Sequence, residues 1–352
     1  MKNTSKSKNI IIAVGLFVVG FITYGVYHNW REIKYVAALL FTTLPHTDVT
    51  SFSIISSATD PAIKTFDSPN WIYVNRNIVV ERKPELPPDR RELLLWLPGT
   101  GGKGDRQTAF CNLAADLGYH VITLVYPNKI PAAICRDDSD PNAFENFRMA
   151  IIQGGRTKYI SVEKSESIEN RLVKLLLFLK VKRPEENWGQ FLNDDGTIKW
   201  EAVAVGGQSQ GGGHAALIAI KHRVARVICA ASPKDYSKKL DVPAAWYGDE
   251  SATPKVCFFT FNHRQDPQAC TPQQLLENLK ALGLDAFGPP IDVATVDFPY
   301  HHTRILTTSY PEANAPSENS IEGLIVHGST VADTNADHWK QVWTYMLTEP
   351  TP

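Results

Sequence analysis

The residues with the clearest chemical potential lie in one glycine-rich turn, Gly207-Gln208-Ser209-Gln210-Gly211, which continues as Gly212-Gly213-His214. It matches G-x-S-x-G between an apolar run and a helix-like run. Glycines two before and two after remove Cβ atoms where backbone must pass close to a tight strand-to-helix turn. A serine held there can act as a nucleophile. The helix starting behind it aims unpaired N–H groups at negative charge forming nearby. Such a nucleophile needs an oxyanion hole. The amide of Gln210, just after the serine, is one expected donor. The loop Pro98-Gly99-Thr100-Gly101-Gly102 after an earlier strand offers the second, from Thr100 or Gly101.

A serine also needs a base and a group that orients the base, in the chain order Ser, acid, His. Asp266 in FFTFNHRQDPQ follows a downstream strand and is the favoured acid; Asp235 in AASPKDY is its alternative. Of the ten His, only those after Asp266 fit the order. His301 and His302 precede the late strand, at its wrong end. His327, followed by Gly328, is the favoured base, expected in a mobile loop; His338, beside Asp337 at a helix start, is the alternative. His214 follows the serine too closely and is expected to pack on its helix. Trp246 and Tyr247 are candidate pocket walls.

Other chemistries find little support. G-x-x-x-x-G-K-[ST] would need Lys where the chain has Asp105, and no G-x-G-x-x-G follows a strand, so neither a phosphate loop nor a dinucleotide site is expected. Cys270 lies in a polar loop without a CxxC or His neighbour, so zinc is not indicated. Cys229 and Cys257 read as buried thiols. Cys111 and Cys135 flank a strand and are a possible disulfide in an exported domain.

Elements that could position these residues alternate along the chain. Strand-like runs fall at 72–83, 92–98, 120–127, 200–207, 225–232, 255–262 and 304–310. Helix-like runs fall at 106–118, 167–184, 214–223, 271–283 and 337–347. The uninterrupted apolar character of ELLLWLP and HVITLVYP suits strands buried on both faces. The expected fold is therefore α/β, a mostly parallel central sheet with helices on both faces, with ligands bound beyond the carboxyl ends of the strands.

Composition bounds the rest. The chain has 352 residues, with 36 Lys and Arg against 37 Asp and Glu, and 43% apolar residues. That is ordinary globular composition, with no basic excess for nucleic acid. The charge is unevenly spread, however. Residues 1–30 hold Lys2, Lys6 and Lys8 and no acid, so the remainder is acidic. From Asn9 to Trp30 no side chain carries a full charge. As a helix this stretch would be ~33 Å long, about one bilayer core. Tyr24, Tyr27 and Trp30 would sit at its outer interface. The expected organisation is a cytoplasmic stub and transmembrane signal-anchor over 1–30, a juxtamembrane extension over 31–70, and a catalytic domain over 71–352. The domain would lie on the periplasmic or extracellular side of the inner membrane. Secretion after signal cleavage is the alternative.

PGTGG (98–102), LGYHVITLVYPN (117–128), GGQSQGGGHAA (206–216), Asp266 and HGST (327–330) together resemble the α/β-hydrolase superfamily. They resemble a group of poorly characterised bacterial serine hydrolases, distantly similar to cutinases and lipase-type esterases. The resemblance covers roughly 90–347. It implies hydrolysis of a small-molecule or lipid-like ester or related acyl bond through an acyl-enzyme, without a metal or organic cofactor. An acyltransferase using the same residues and a non-catalytic interaction domain on the same scaffold are the competing expectations.

Overall fold

The structure is a computed structural model that describes residues 48–84 and 89–351. The expected membrane segment, and the part of the expected extension before Asp48, lie outside the described residues. Among the described residues no helix is long and apolar enough to cross a membrane.

Nine strands form one sheet: β1 (Thr50–Ile55), β2 (Pro69–Val74), β3 (Leu93–Leu97), β4 (His120–Thr123), β5 (Val203–Gln208), β6 (Arg226–Ala230), β7 (Phe258–His263), β8 (Ile291–Asp292) and β9 (Ile305–Thr308). Their order across the sheet is β1-β2-β4-β3-β5-β6-β7-β9-β8. The pairs β1/β2 and β2/β4 are antiparallel, and every later pair is parallel. The fold is thus α/β with a mostly parallel sheet. The sheet starts before residue 71, because β1 falls inside the stretch expected to be a juxtamembrane extension. The strand expected at 72–83 is β2 shifted toward the N-terminus; a helical turn, Arg76–Val79, follows it.

β3 shows why the sheet is covered on both sides. All five of its residues, LLLWL, are fully buried. Leu93, Leu95 and Leu97 enter one core cluster, while Leu94 and Trp96 enter the other. Side chains alternate along a strand, so an unbroken apolar run needs an apolar layer on each face. One face is covered by α1 (Thr108–Asp116) and the C-terminal helix (Ala336–Thr348), through Phe110, Trp339 and Trp343. The other is covered by α2 (Ala143–Gln153), α3 (Ile168–Lys182), α4 (Gln210–Lys221) and α5 (Pro272–Ala281). α5 begins with a capping box in which Thr271 and Gln274 satisfy each other's amides, and Pro272 occupies its first turn.

The thiols change meaning in this setting. All five cysteines are buried and free. Cys111 lies in the layer on one face of the sheet and Cys135 in the layer on the other. The sheet separates them, so the possible Cys111–Cys135 disulfide does not form. Cys270, read as part of a polar loop, is buried as well.

Candidate active site

Parallel register aligns the carboxyl ends of the central strands. Leu97 pairs with Gly207, Gln208 with Ala230, Ala230 with Phe261, and His263 with Thr308. The loops that leave this edge carry Thr100, Ser209, Lys234, Asp235 and Asp266. The segment after β9 continues into α6 (Ile321–Gly328), which carries His327.

Ser209 sits between β5 and α4 with φ 54° and ψ −120°. A non-glycine residue there is strained, at roughly 1–3 kcal/mol. The turn is held by packing that tolerates no side chains at its flanks. A methyl on Gly207 would meet Leu97 and Gly211 backbone at 2.5 Å, and one on Gly211 would run into the Leu97 carbonyl. The Ser209 amide donates to the Ala230 carbonyl at 2.9 Å, tying the turn to β6. Serine at a helix start ordinarily caps its own helix. Ser209 makes no such bond. Its hydroxyl lies 2.7 Å from His327 Nε2 instead.

The other ring nitrogen, His327 Nδ1, is 2.8 Å from Asp266 Oδ2. A carboxylate only accepts, so Nδ1 carries the proton and donates it to Asp266. Nε2 is left with its lone pair facing the serine hydroxyl. Asp266 is fully buried, and its Oδ1 accepts from the Gln268 amide at 3.0 Å. Burial alone would push its carboxyl up. The facing His327 ring and Lys234 ammonium, with the hydrogen bonds both make to it, outweigh burial and hold it well below the usual carboxylate range. The His327 side chain keeps 13% exposure, enough to meet a ligand from solution.

The structure therefore brings Ser209, His327 and Asp266 together and leaves the two alternatives outside. His338 is exposed on the C-terminal helix and packs against Tyr310, ring centroids 4.4 Å apart. Asp235 is buried in a two-pronged pair with Arg148, with both contacts at 2.6 Å, and accepts from Trp246 Nε1 at 3.1 Å. Trp246 and Tyr247 are accordingly core residues around Asp235 rather than pocket walls. His327 lies in the last turn of a helix, not in a mobile loop. Ser320 caps that helix by accepting from the Gly323 amide. His214, as expected, is buried along α4, where burial drives its imidazole well below the ordinary range and so keeps it neutral.

The oxyanion donors divide unevenly. The amides of Thr100 and Gln210 have no acceptor among the described residues, and Gln210 opens α4, where amides lack helical partners. The Gly101 amide donates to the Asn128 carbonyl at 3.0 Å, so Gly101 is removed from the donor pair. Asn128 braces this loop a second way, donating from Nδ2 to the carbonyls of Gly99 and Gly102 at 3.0 and 2.8 Å. Gln210 Oε1 accepts from the Thr100 hydroxyl at 3.0 Å and from the Ala132 amide at 2.9 Å, joining the two donor loops.

Three residues were not singled out from sequence: Asn128, Arg148 and Lys234. Arg148 donates to the Gln210 carbonyl at 2.9 Å and anchors the start of α4 from beneath. Lys234 Nζ stands 2.9 Å from Asp266 Oδ2, the same oxygen that His327 uses. The only sequence signal for Lys234 is its position beside Asp235, which reads equally well as a solvated loop pair.

No family model matches the chain, and no curated protein matches it. Among solved structures it is similar to the crystal structure of MGS-M1, described as an alpha/beta hydrolase enzyme from a Medee basin deep-sea metagenome library. The identity is 16%, the match covers 67% of this chain and 78% of that one, and the TM-score is 0.34.

Proposed function

We propose that the chain is a serine hydrolase of carboxylic esters or related acyl bonds. The observation that carries this reading is the hydrogen-bonded series Ser209 Oγ, His327 ring, Asp266 carboxylate, with spacings of 2.7 and 2.8 Å. In this reading Ser209 Oγ attacks the acyl carbon while its proton passes to His327 Nε2. Asp266 holds the ring in the correct tautomer and stabilises the imidazolium that forms. The amides of Gln210 and Thr100 receive the negative oxygen, assisted by the positive end of α4. The tetrahedral species collapses, and the leaving alkoxide takes the proton from Nε2. Water then repeats the sequence, with His327 again as base, and releases the acid and Ser209.

Exposed apolar side chains near the site residues in the chain support an apolar acyl chain. Ile130 and Ile134 flank Ala132, whose amide touches Gln210, and both are well exposed. Ile321 and Leu324, spaced i, i+3 on α6 and so leading toward His327, are exposed at 54% and 60%. Large apolar side chains left in water on the segment that touches Gln210 and on the helix that carries His327 suit a lipid-like ester. The apolar N-terminal stretch 9–30 would tether the domain to the membrane.

A fluorophosphonate probe that labels activated serines, with a panel of p-nitrophenyl esters of rising chain length, tests the reading. The parent should label and hydrolyse, with preference for medium or long chains. Ser209→Ala should not label and should lose activity by about 10⁴-fold or more. Equal labelling of parent and variant would overturn the assignment.

A further inference from the structure

We propose that Lys234 is a positioning residue that shares Asp266 Oδ2 with His327 and so sets the acid limb of the pH profile of the reaction. This rests on the hydrolase reading above and adds a fourth member to its catalytic series.

The geometry is specific. Lys234 leaves the loop after β6, and Asp266 leaves the loop after β7. Lys234 is 7% exposed, which for a lysine demands compensation. Its ammonium has three donors and three oxygens to receive them. These are Asp266 Oδ2 at 2.9 Å, the Gln268 carbonyl at 3.0 Å and the Asp266 carbonyl at 3.3 Å. The loop that presents it is pinned from α5, where Asn278 Nδ2 donates to the Pro233 carbonyl at 3.3 Å. The side chain therefore cannot drift away from the carboxylate without leaving a buried charge unpaired.

Its effect follows from charge. A lone carboxylate beside an imidazole favours the protonated ring. An ammonium on the same oxygen offsets that attraction at close range in a water-poor site. Other groups around the cluster are already engaged or uncharged. His263, at the end of β7, is held neutral by burial and bonds the Pro311 carbonyl and the Gln265 amide. Cys270 has its thiol pushed up to about 11 by burial. Glu318 pairs with Arg136, and Asp235 with Arg148. Lys234 is thus the cation that sets the charge facing Asp266 Oδ2 from outside the Ser–His pair.

The test is the pH profile of kcat/KM for the full-length chain on a short p-nitrophenyl ester. Parent, Lys234→Gln and Lys234→Arg are compared, with Ser209→Ala as the inert control. Loss of the charge in Lys234→Gln should move the acid limb upward by about one pH unit, whatever happens to the plateau. Lys234→Arg should return the limb toward the parent position. A purely structural lysine would lower the plateau or the amount of folded protein and leave the limb where it was. An unmoved limb in Lys234→Gln, with Ser209→Ala inert, overturns this proposal while the hydrolase reading stands. Parent-like activity in Ser209→Ala overturns the hydrolase reading itself. Lys234→Met, which keeps the apolar stem, replaces Lys234→Gln if that variant does not fold. Failure of both to fold counts against the proposal, because the ammonium would then be a requirement of the fold.

Discussion

Asp235 and Asp266 leave the sheet from adjacent parallel strands, β6 and β7, on the same edge, and both are buried beside a basic side chain. Their surroundings nonetheless assign them opposite work. Asp235 gives both oxygens to Arg148 and takes a further bond from Trp246, so its charge is already matched by a guanidinium. Asp266 spends Oδ1 on a backbone amide and presents Oδ2 to His327 and Lys234 together. A planar guanidinium locks a carboxylate in a two-pronged grip, whereas a compact ammonium occupies one direction only. The partner chosen for each carboxylate separates an anchor under the nucleophile turn from an orienting group for the base.

The largest effect expected from this contrast is catalytic. Asp266→Asn should lower kcat on a p-nitrophenyl ester by about 10⁴-fold, since the amide no longer fixes the tautomer that leaves Nε2 free. Measured per folded molecule, Asp235→Asn should retain far more activity; equal losses in the two variants would erase the distinction drawn between them. Stability should behave in the opposite sense. Asp235→Asn leaves the Arg148 guanidinium buried with a neutral partner and should lower unfolding free energy by about 3–5 kcal/mol in a denaturant titration. Combining Asp235→Leu with Arg148→Met should recover a large share of that loss. If the double variant is no better than the single, Arg148 matters chiefly through its bond to the Gln210 carbonyl.

The smallest effect is a pH dependence. Asp266 has a folded-state pKa below its unfolded value of about 3.9. Its ionisation therefore contributes stability that is fully present above about pH 5 and is lost as pH falls through the depressed folded value. Asp266→Asn lacks this contribution. Melting curves for parent and variant should thus converge as pH drops below about 4. Curves that stay parallel would mean that the Lys234 and His327 charges do not depress this carboxyl.

Much of this is legible in the sequence. The apolar runs at 92–98 and 120–127, the α3 pattern and the glycine-flanked serine are local signals, because strand period, helix period and missing Cβ atoms are written in neighbouring residues. β1 and α6 were not found. β1 has half-exposed alternation and lies where an apolar extension was expected. α6 is only eight residues long and was masked by Gly323 and Gly328. The missed helix matters to the chemistry. It presents His327 from an ordered backbone, whereas the short HGST motif suggested a swinging loop.

Read alone, the sequence supplies the residue types and their chain order: a serine in a tight turn, two acids after later strands, two candidate histidines beyond them, and an apolar N-terminal stretch. Sheet register and loop packing choose between the members of each pair. His327 was separated from His338, Asp266 from Asp235 and Thr100 from Gly101 by hydrogen bonds between residues far apart in the chain. Such bonds leave no periodic trace, since a donor's partner is set by the sheet register that brings two loops to one edge. For the same reason the two cysteines that flank a strand proved to be on opposite faces of the sheet, and an unremarked lysine stood beside the buried acid.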